Sequence, residues 1–171
     1  LDGALGANRL AGPIFADSVV DAMPDEVPDM PVFEGGFAAG EAEMLLHVAP
    51  GFSGAVPSDD VGTRAILDDI RLGIEIASSP YPGINIDGPP VTISDFGNNA
   101  GLVRGVQFAG WRDVDLCAIV VRSEIDGVEV GKATAAAMLD GPYGAVRFLL
   151  GNLLERGFDV SQGLWVSTGA I

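Results

Sequence analysis

The sequence predicts an α+β fold that is mainly β. Apolar runs of strand length outnumber helical stretches, and one of them turns back through Asp126-Gly127 as an antiparallel hairpin. The strand–helix–strand alternation of a parallel α/β protein is poor. The expected sheet is therefore mixed or antiparallel, accompanied by a few short helices.

Each element follows from local signals. Residues 1–31 are rich in Gly, Pro, Asp and Ala, with one short ordered piece expected around Pro13-Ile14-Phe15 and loop from Asp21 to Pro31. Phe33 to Val48 reads as strand, interrupted at Gly35-Gly36 and Gly40. Pro57-Ser58-Asp59-Asp60 supplies a helix-starting signal, so a short helix is expected over Thr63 to Asp69, with a strand from Ile70 to Ala77 after it. Ser78 to Pro90 holds four prolines and two glycines and reads as a long irregular loop, a kind that usually serves function. Ser94-Asp95 is read as the start of a helix reaching about Val103. Leu116 to Glu124 is a strand, and Val128 to Lys132 is its hairpin partner. Pro142 to Arg156 is the strongest helix, with Val146, Leu149, Leu150, Leu153 and Leu154 on one stripe and Gly157 as its stop. Leu164 to Thr168 is the last strand. No internal repeat or low-complexity tract is present.

Composition narrows the function. A chain of 171 residues with 48% hydrophobic content can bury the core of one domain and is not disordered. No apolar run reaches the ~18 residues a membrane helix needs, and no charged segment followed by an apolar stretch marks an export signal. The expectation is a single, cytoplasmic domain over residues 1–171. A net charge of −15 argues against nucleic acid or an anionic membrane as partner. Cys117 is the one cysteine, so no internal disulfide can form, and its apolar surroundings predict a buried core thiol. Leu1 is not an initiator Met and Ile171 ends an apolar run, so further sequence is expected on both sides.

Three carboxylates stand out because they sit inside apolar runs. Glu41 and Glu43 occur in Gly40-Glu41-Ala42-Glu43-Met44-Leu45-Leu46, and Glu75 in Leu72-Gly73-Ile74-Glu75-Ile76-Ala77. A lone buried carboxylate is costly unless it is paired or binds a cation. On a strand, residues two apart share a face, so Glu41 and Glu43 project together. Glu75, from a second strand, can complete a face of oxygens suited to Mg²⁺ or Mn²⁺. The alternative is that the Glu-x-Glu pair is simply the polar face of a half-solvated strand. His47, the one histidine, falls on the same face if the strand is unbroken, and a structural role near the strand end suits it better than a ligand or base. Asn98, Asn99, Ser78, Ser79 and Thr168 are further polar groups near expected loops. The glycines show no phosphate-binding spacing.

Taken together, Gly40-Glu41-Ala42-Glu43, Gly73-Ile74-Glu75-Ile76 and Ser94-Asp95-Phe96-Gly97-Asn98-Asn99-Ala100 resemble the 2-keto-4-pentenoate hydratase / 4-oxalocrotonate decarboxylase group of the fumarylacetoacetate hydrolase superfamily. Leu139-Asp140-Gly141-Pro142, Leu149 to Asn152, Gly157, Gly163 and Ser167-Thr168-Gly169-Ala170 look like that group's closing helix and strand, and the resemblance spans about Gly12 to Ile171.

The resemblance implies a mixed β-roll of the superfamily's C-terminal type, forming one hydratase-like catalytic domain that lacks terminal segments of the full fold. It implies that Glu41, Glu43 and Glu75 hold Mg²⁺ or Mn²⁺ and that Ser78, Asn99 and Thr168 contact a small 2-oxo acid. The implied activity is that of a lyase adding water to a 2-hydroxypenta-2,4-dienoate-type acid in aromatic catabolism, in a homo-oligomer. A 4-oxalocrotonate-type decarboxylase, an acylpyruvate C–C hydrolase and an inactive binding module are the alternatives. The chain departs from the group's pattern in three places. Ser78-Ser79-Pro80-Tyr81 stands where an arginine is usual, and Asn98-Asn99 replaces an Asp-Asn pair. The group's catalytic lysine belongs to an N-terminal segment not contained here, and Lys132, on the hairpin, does not match that motif.

Overall fold

The computed structural model describes residues 7–23 and 25–171. Among the described residues seven strands form two sheets. β1 (Val19–Asp21), β2 (Phe37–Val48), β3 (Leu67–Ser79), β4 (Asn99–Gln107) and β7 (Leu164–Ser167) hydrogen-bond in the order β1-β4-β3-β2-β7, while β5 (Val120–Ile125) and β6 (Val128–Thr134) pair separately. The larger sheet is mixed, because β1 runs parallel to β4 and β2 antiparallel to β7. Among the described residues three α-helices accompany it: α1 (Asp60–Ala65), α2 (Pro89–Ser94) and α3 (Gly141–Glu155). The fold is thus mainly sheet with a few helices, as the sequence predicts.

Two compact units make up the chain, residues 1–41 with 74–105, and residues 42–73 with 106–171. The second unit carries the large apolar core. Met44, Leu46, Val48, Leu67, Ile70, Trp111, Leu116, Val146, Leu150 and Val166 pack there, all nearly sealed from solvent. Helix α3 supplies Val146 and Leu150, with Leu149 and Leu153 packed at the margin, so the predicted stripe holds except at Leu154, which is exposed. Its end is set by Gly157 at φ +76°: Phe158 N–H bonds Leu153 O at 2.9 Å and Gly157 N–H bonds Leu154 O at 3.0 Å. These paired bonds satisfy carbonyls that a helix end otherwise leaves open.

The first unit is held differently. Among the described residues its buried side chains are Ala77, Ile84 and Leu102 together with the polar Ser78, Ser79 and Asn98. Hydrogen bonds compensate for the small apolar content: Ser78 Oγ donates to Phe37 O at 2.8 Å and accepts from Phe33 N–H at 3.0 Å. Arg104 grips Asp21 with two bonds, 2.6 and 2.8 Å, across the β1–β4 pair. Gly36 is required here because a Cβ on it would lie 2.0 Å from Ser79 O.

Several boundaries differ from expectation. The irregular run expected over residues 1–31 lies outside the described residues at 1–6 and 24; elsewhere it contains a single helical turn, Ala16–Ser18, and β1. The short helix is earlier than expected, because Asp59 caps it: its carboxylate accepts from Gly62 N–H at 2.7 Å. The helix expected from Ser94 to Val103 is absent; Ser94 ends α2 and strand β4 follows. Phe96, Gly97 and Asn98 all have positive φ (+55°, +82° and +60°), a sequence of conformations no right-handed helix can carry. Strand β5 begins at Val120 rather than Leu116, because Leu116–Ala118 forms one helical turn capped by Asp115. That turn leaves Cys117 half-buried, with burial pushing its thiol upward. The hairpin is as predicted, with Asp126 and Gly127 at φ +51° and +77° in the turn that matches strand twist.

Gly36→Ala is expected to lower stability by roughly 1–3 kcal/mol, the usual penalty for forcing atoms into packed space. Thermal unfolding of the variant checks this, and an unchanged Tm contradicts the close approach.

Candidate metal centre

Strand β2 runs unbroken from Phe37 to Val48 and is covered on both faces through its middle, where Glu43, Met44, Leu45 and Leu46 are all nearly inaccessible. Glu43 is 1% exposed. The effective cost of taking a carboxylate out of water is several kcal/mol, more than the ~1.5–3 kcal/mol returned by burying one leucine. Hydrophobic packing around Glu43 therefore does not sustain its charge, and polar partners or a cation must.

The three glutamates singled out in the sequence come together. Glu41 and Glu43 on β2 and Glu75 on β3 each offer one carboxylate oxygen, all within 4.8 Å of one another. Their shared face follows from the two-residue period of a continuous β2. Among the described residues this is the group of acidic, histidine or cysteine side chains placed to hold a metal. Three hard oxygen donors suit Mg²⁺ or Mn²⁺, ions that complete their coordination with water. Glu41 feels both burial and the negative charge of Glu75, and burial first, then that charge, pushes its carboxyl above the ordinary range.

Neighbouring polar groups orient the cluster. Asn99 Nδ2 donates to Glu75 Oε1 at 2.8 Å. Ser167, on β7, donates its hydroxyl to Glu43 Oε2. Thr168 brackets the next residue of β2, with its N–H on Met44 O at 3.1 Å and its Oγ1 accepting from Met44 N–H at 3.2 Å. Ile171 N–H bonds Ala42 O at 3.0 Å, so the chain's last residues line β2 on either side of Glu43.

The remaining candidates are placed elsewhere. Ser78 is buried, with its hydroxyl joined to Phe33 and Phe37, and Ser79 Oγ accepts from Tyr81 N–H at 3.1 Å. Asn98 N–H bonds Asp95 O at 2.7 Å, and its side-chain amide reaches Asn85 at 3.2 Å. His47 Nδ1 lies 2.6 Å from Asp68 Oδ1, and its ring rests on Trp165 at 4.7 Å. It serves structure, as expected. Lys132 is exposed on β6. A groove lined by Gln107 to Asp113 contains none of the three glutamates. Ser167 is the site residue that reasoning from single positions misses. Its signal is the β2–β7 register, which sets Ser167 opposite Leu45 and diagonal to Glu43.

Comparison with known proteins places this geometry in context. No family model matches the sequence. The chain is 30% identical over 107 residues to 4-oxalocrotonate decarboxylase of Pseudomonas putida, covering 63% of this chain and 40% of that protein. It is 31% identical over 107 residues, with the same coverage, to 4-oxalocrotonate decarboxylase of Pseudomonas sp. (strain CF600). Among solved structures it matches 4-oxalocrotonate decarboxylase from P. putida G7 complexed with calcium and acetate, at TM-score 0.66 and 25% identity, over 90% of this chain and 53% of that one. The same enzyme complexed with magnesium and adipate matches at TM-score 0.64 and 24% identity, over 90% and 54%. The chain thus spans about half the length of these solved structures and 40% of the curated relatives.

For Glu41 the raised value fixes a sign. In the metal-free protein burial and the charge of Glu75 disfavour its ionised form, so the stability it contributes is fully present below the ordinary carboxylate range and lost as pH rises through the raised pKa. A dication prefers the ionised form. The gain in Tm on adding Mg²⁺ is therefore expected to grow from the carboxylate range toward neutrality, and Glu41→Gln to flatten that growth; a pH-independent gain in the unaltered chain contradicts Glu41 as a ligand. In sequence and in fold alike, the chain is similar to the 4-oxalocrotonate decarboxylases, and so to the hydratase and decarboxylase group that its motifs resemble.

Proposed function

We propose that this chain is the metal-binding catalytic domain of a divalent-metal-dependent lyase acting on a short 2-oxo acid. The observation that carries the proposal is the convergence of Glu41, Glu43 and Glu75 within 4.8 Å. Support for the substrate class comes from the likeness to 4-oxalocrotonate decarboxylases. Decarboxylation of an oxalocrotonate-like dioic acid is placed first on that ground. Hydration of a 2-hydroxypenta-2,4-dienoate-type acid is the second reading, supported by the motifs shared across the group.

The residues divide the work. Glu41, Glu43 and Glu75 hold Mg²⁺ or Mn²⁺, which when bound supplies Lewis acidity toward the 2-oxo and carboxylate oxygens of the substrate. Burial of Glu43 keeps the local dielectric low, so charge–charge attraction there exceeds its value in water. Thr168 and Asn99 border the substrate in this reading, while Ser78 keeps its hydroxyl on Phe33 and Phe37 and supports the fold. The protein's overall charge of −15 repels a dicarboxylate, and a resident dication reverses that repulsion locally. Proton transfer is assigned to a group outside the motifs found here, since Lys132 lies on the β5–β6 hairpin. The protein is proposed to work in the cytoplasm as a homo-oligomer. No helix among the described residues is long and apolar enough to cross a membrane.

Two assays on the full-length gene product test the proposal: CO₂ release from 4-oxalocrotonate, and loss of dienoate absorbance by hydration, each with and without Mg²⁺. The expected result is metal-dependent turnover in the first assay and a drop of at least about a hundredfold in Glu43→Ala, the upper end for losing support at a metal centre. Turnover in the second assay alone transfers the assignment to the hydratase reading. Glu43→Ala with full activity and metal content would falsify the metal centre.

A further inference from the structure

Each glutamate of the cluster has two carboxylate oxygens, and on two of the three glutamates one oxygen already accepts a hydrogen bond. Glu75 Oε1 takes Asn99 Nδ2 at 2.8 Å, and Glu43 Oε2 takes the Ser167 hydroxyl. Both donors stand on strands of the same sheet. Asn99 is the first residue of β4, and its amide also reaches Gly101 O at 3.4 Å. Ser167 ends β7 in register with Leu45 of β2.

This arrangement limits how the carboxylates can ligate. Bidentate chelation requires both oxygens of one carboxylate to face the ion. Turning Glu75 or Glu43 to do so reorients the hydrogen-bonded oxygen relative to its donor and weakens that bond, which opposes the bidentate geometry. Ca²⁺ takes roughly six to eight oxygens at flexible geometry and readily uses bidentate carboxylates, whereas Mg²⁺ demands an octahedron and keeps several waters. Building on the metal-centre reading above, we infer that Asn99 and Ser167 are positioning residues that restrict Glu75 and Glu43 to one ligating oxygen each, and thereby make the site prefer Mg²⁺ or Mn²⁺ to Ca²⁺. The selectivity lies in the donors behind the ligands, since the three glutamates alone would serve either ion.

The test is calorimetric titration of Mg²⁺ and of Ca²⁺, separately, into the unaltered chain and into Asn99→Ala, Ser167→Ala and Ser167→Thr. Metal-free thermal unfolding of each confirms that the variants fold. Loss of an outer donor is expected to weaken Mg²⁺ binding about 10–100-fold. Ca²⁺ binding is expected to fall less, so the Mg²⁺/Ca²⁺ affinity ratio drops in both alanine variants. Ser167→Thr keeps the hydroxyl and should restore the ratio. Equal losses for the two ions, or an unchanged ratio, overturn this inference and leave the metal centre standing. Failure of the unaltered chain to bind either ion overturns the metal centre and the inference with it.

Discussion

Mutual repulsion among three carboxylates is the constraint that organises this molecule. At 4.8 Å and an effective dielectric constant near 20, two such charges oppose each other by on the order of 3–4 kcal/mol. That is a sizeable share of the net stability of a whole domain, about 5–15 kcal/mol. A chain tolerates this only where the backbone leaves the side chains no retreat. Strand β2 meets the requirement by being covered on both faces beside Glu43.

The supports differ in kind between the two units. Residues 42–73 with 106–171 rely on a dense aliphatic and aromatic core, which fixes β2 beyond Ala42 through Met44, Leu46 and Val48. Residues 1–41 with 74–105 bury few large apolar groups and depend on Ser78, Asn98 and the Asp21–Arg104 pair. Polar networks of this type specify one arrangement more sharply than apolar contacts do, because a misplaced partner leaves a buried group unsatisfied. They also rest on few interactions, so single substitutions there carry large effects.

Much of this was legible in the sequence, for identifiable reasons. The two-residue period of a strand is enough to set Glu41 beside Glu43, and Asp126-Gly127 admits little but a tight hairpin. Glu75 could be nominated because its setting was apolar, although Ile74 proves half-exposed. The stretch from Ser94 onward departs from the expected helix because Phe96, whose bulky side chain ordinarily disfavours positive φ, adopts it together with Gly97 and Asn98, which do so more readily. Ser167 stayed hidden for another reason. A hydroxyl 124 positions from its acceptor acquires meaning only when strand pairing and register are known.

That separation has a consequence for how the centre comes into being. The bond from Ser167 to Glu43 closes a loop of 124 positions, and Thr168 and Ile171 join β2 beside it. Closing so long a loop carries its entropic cost in advance of its reward. During synthesis Glu41, Glu43 and Glu75 emerge well before residues 164–171, so a nascent chain has its acids without the donor that orients Glu43. Metal capture with full affinity is thereby deferred until β7 docks beside β2, and the occupied centre reports that this pairing has formed.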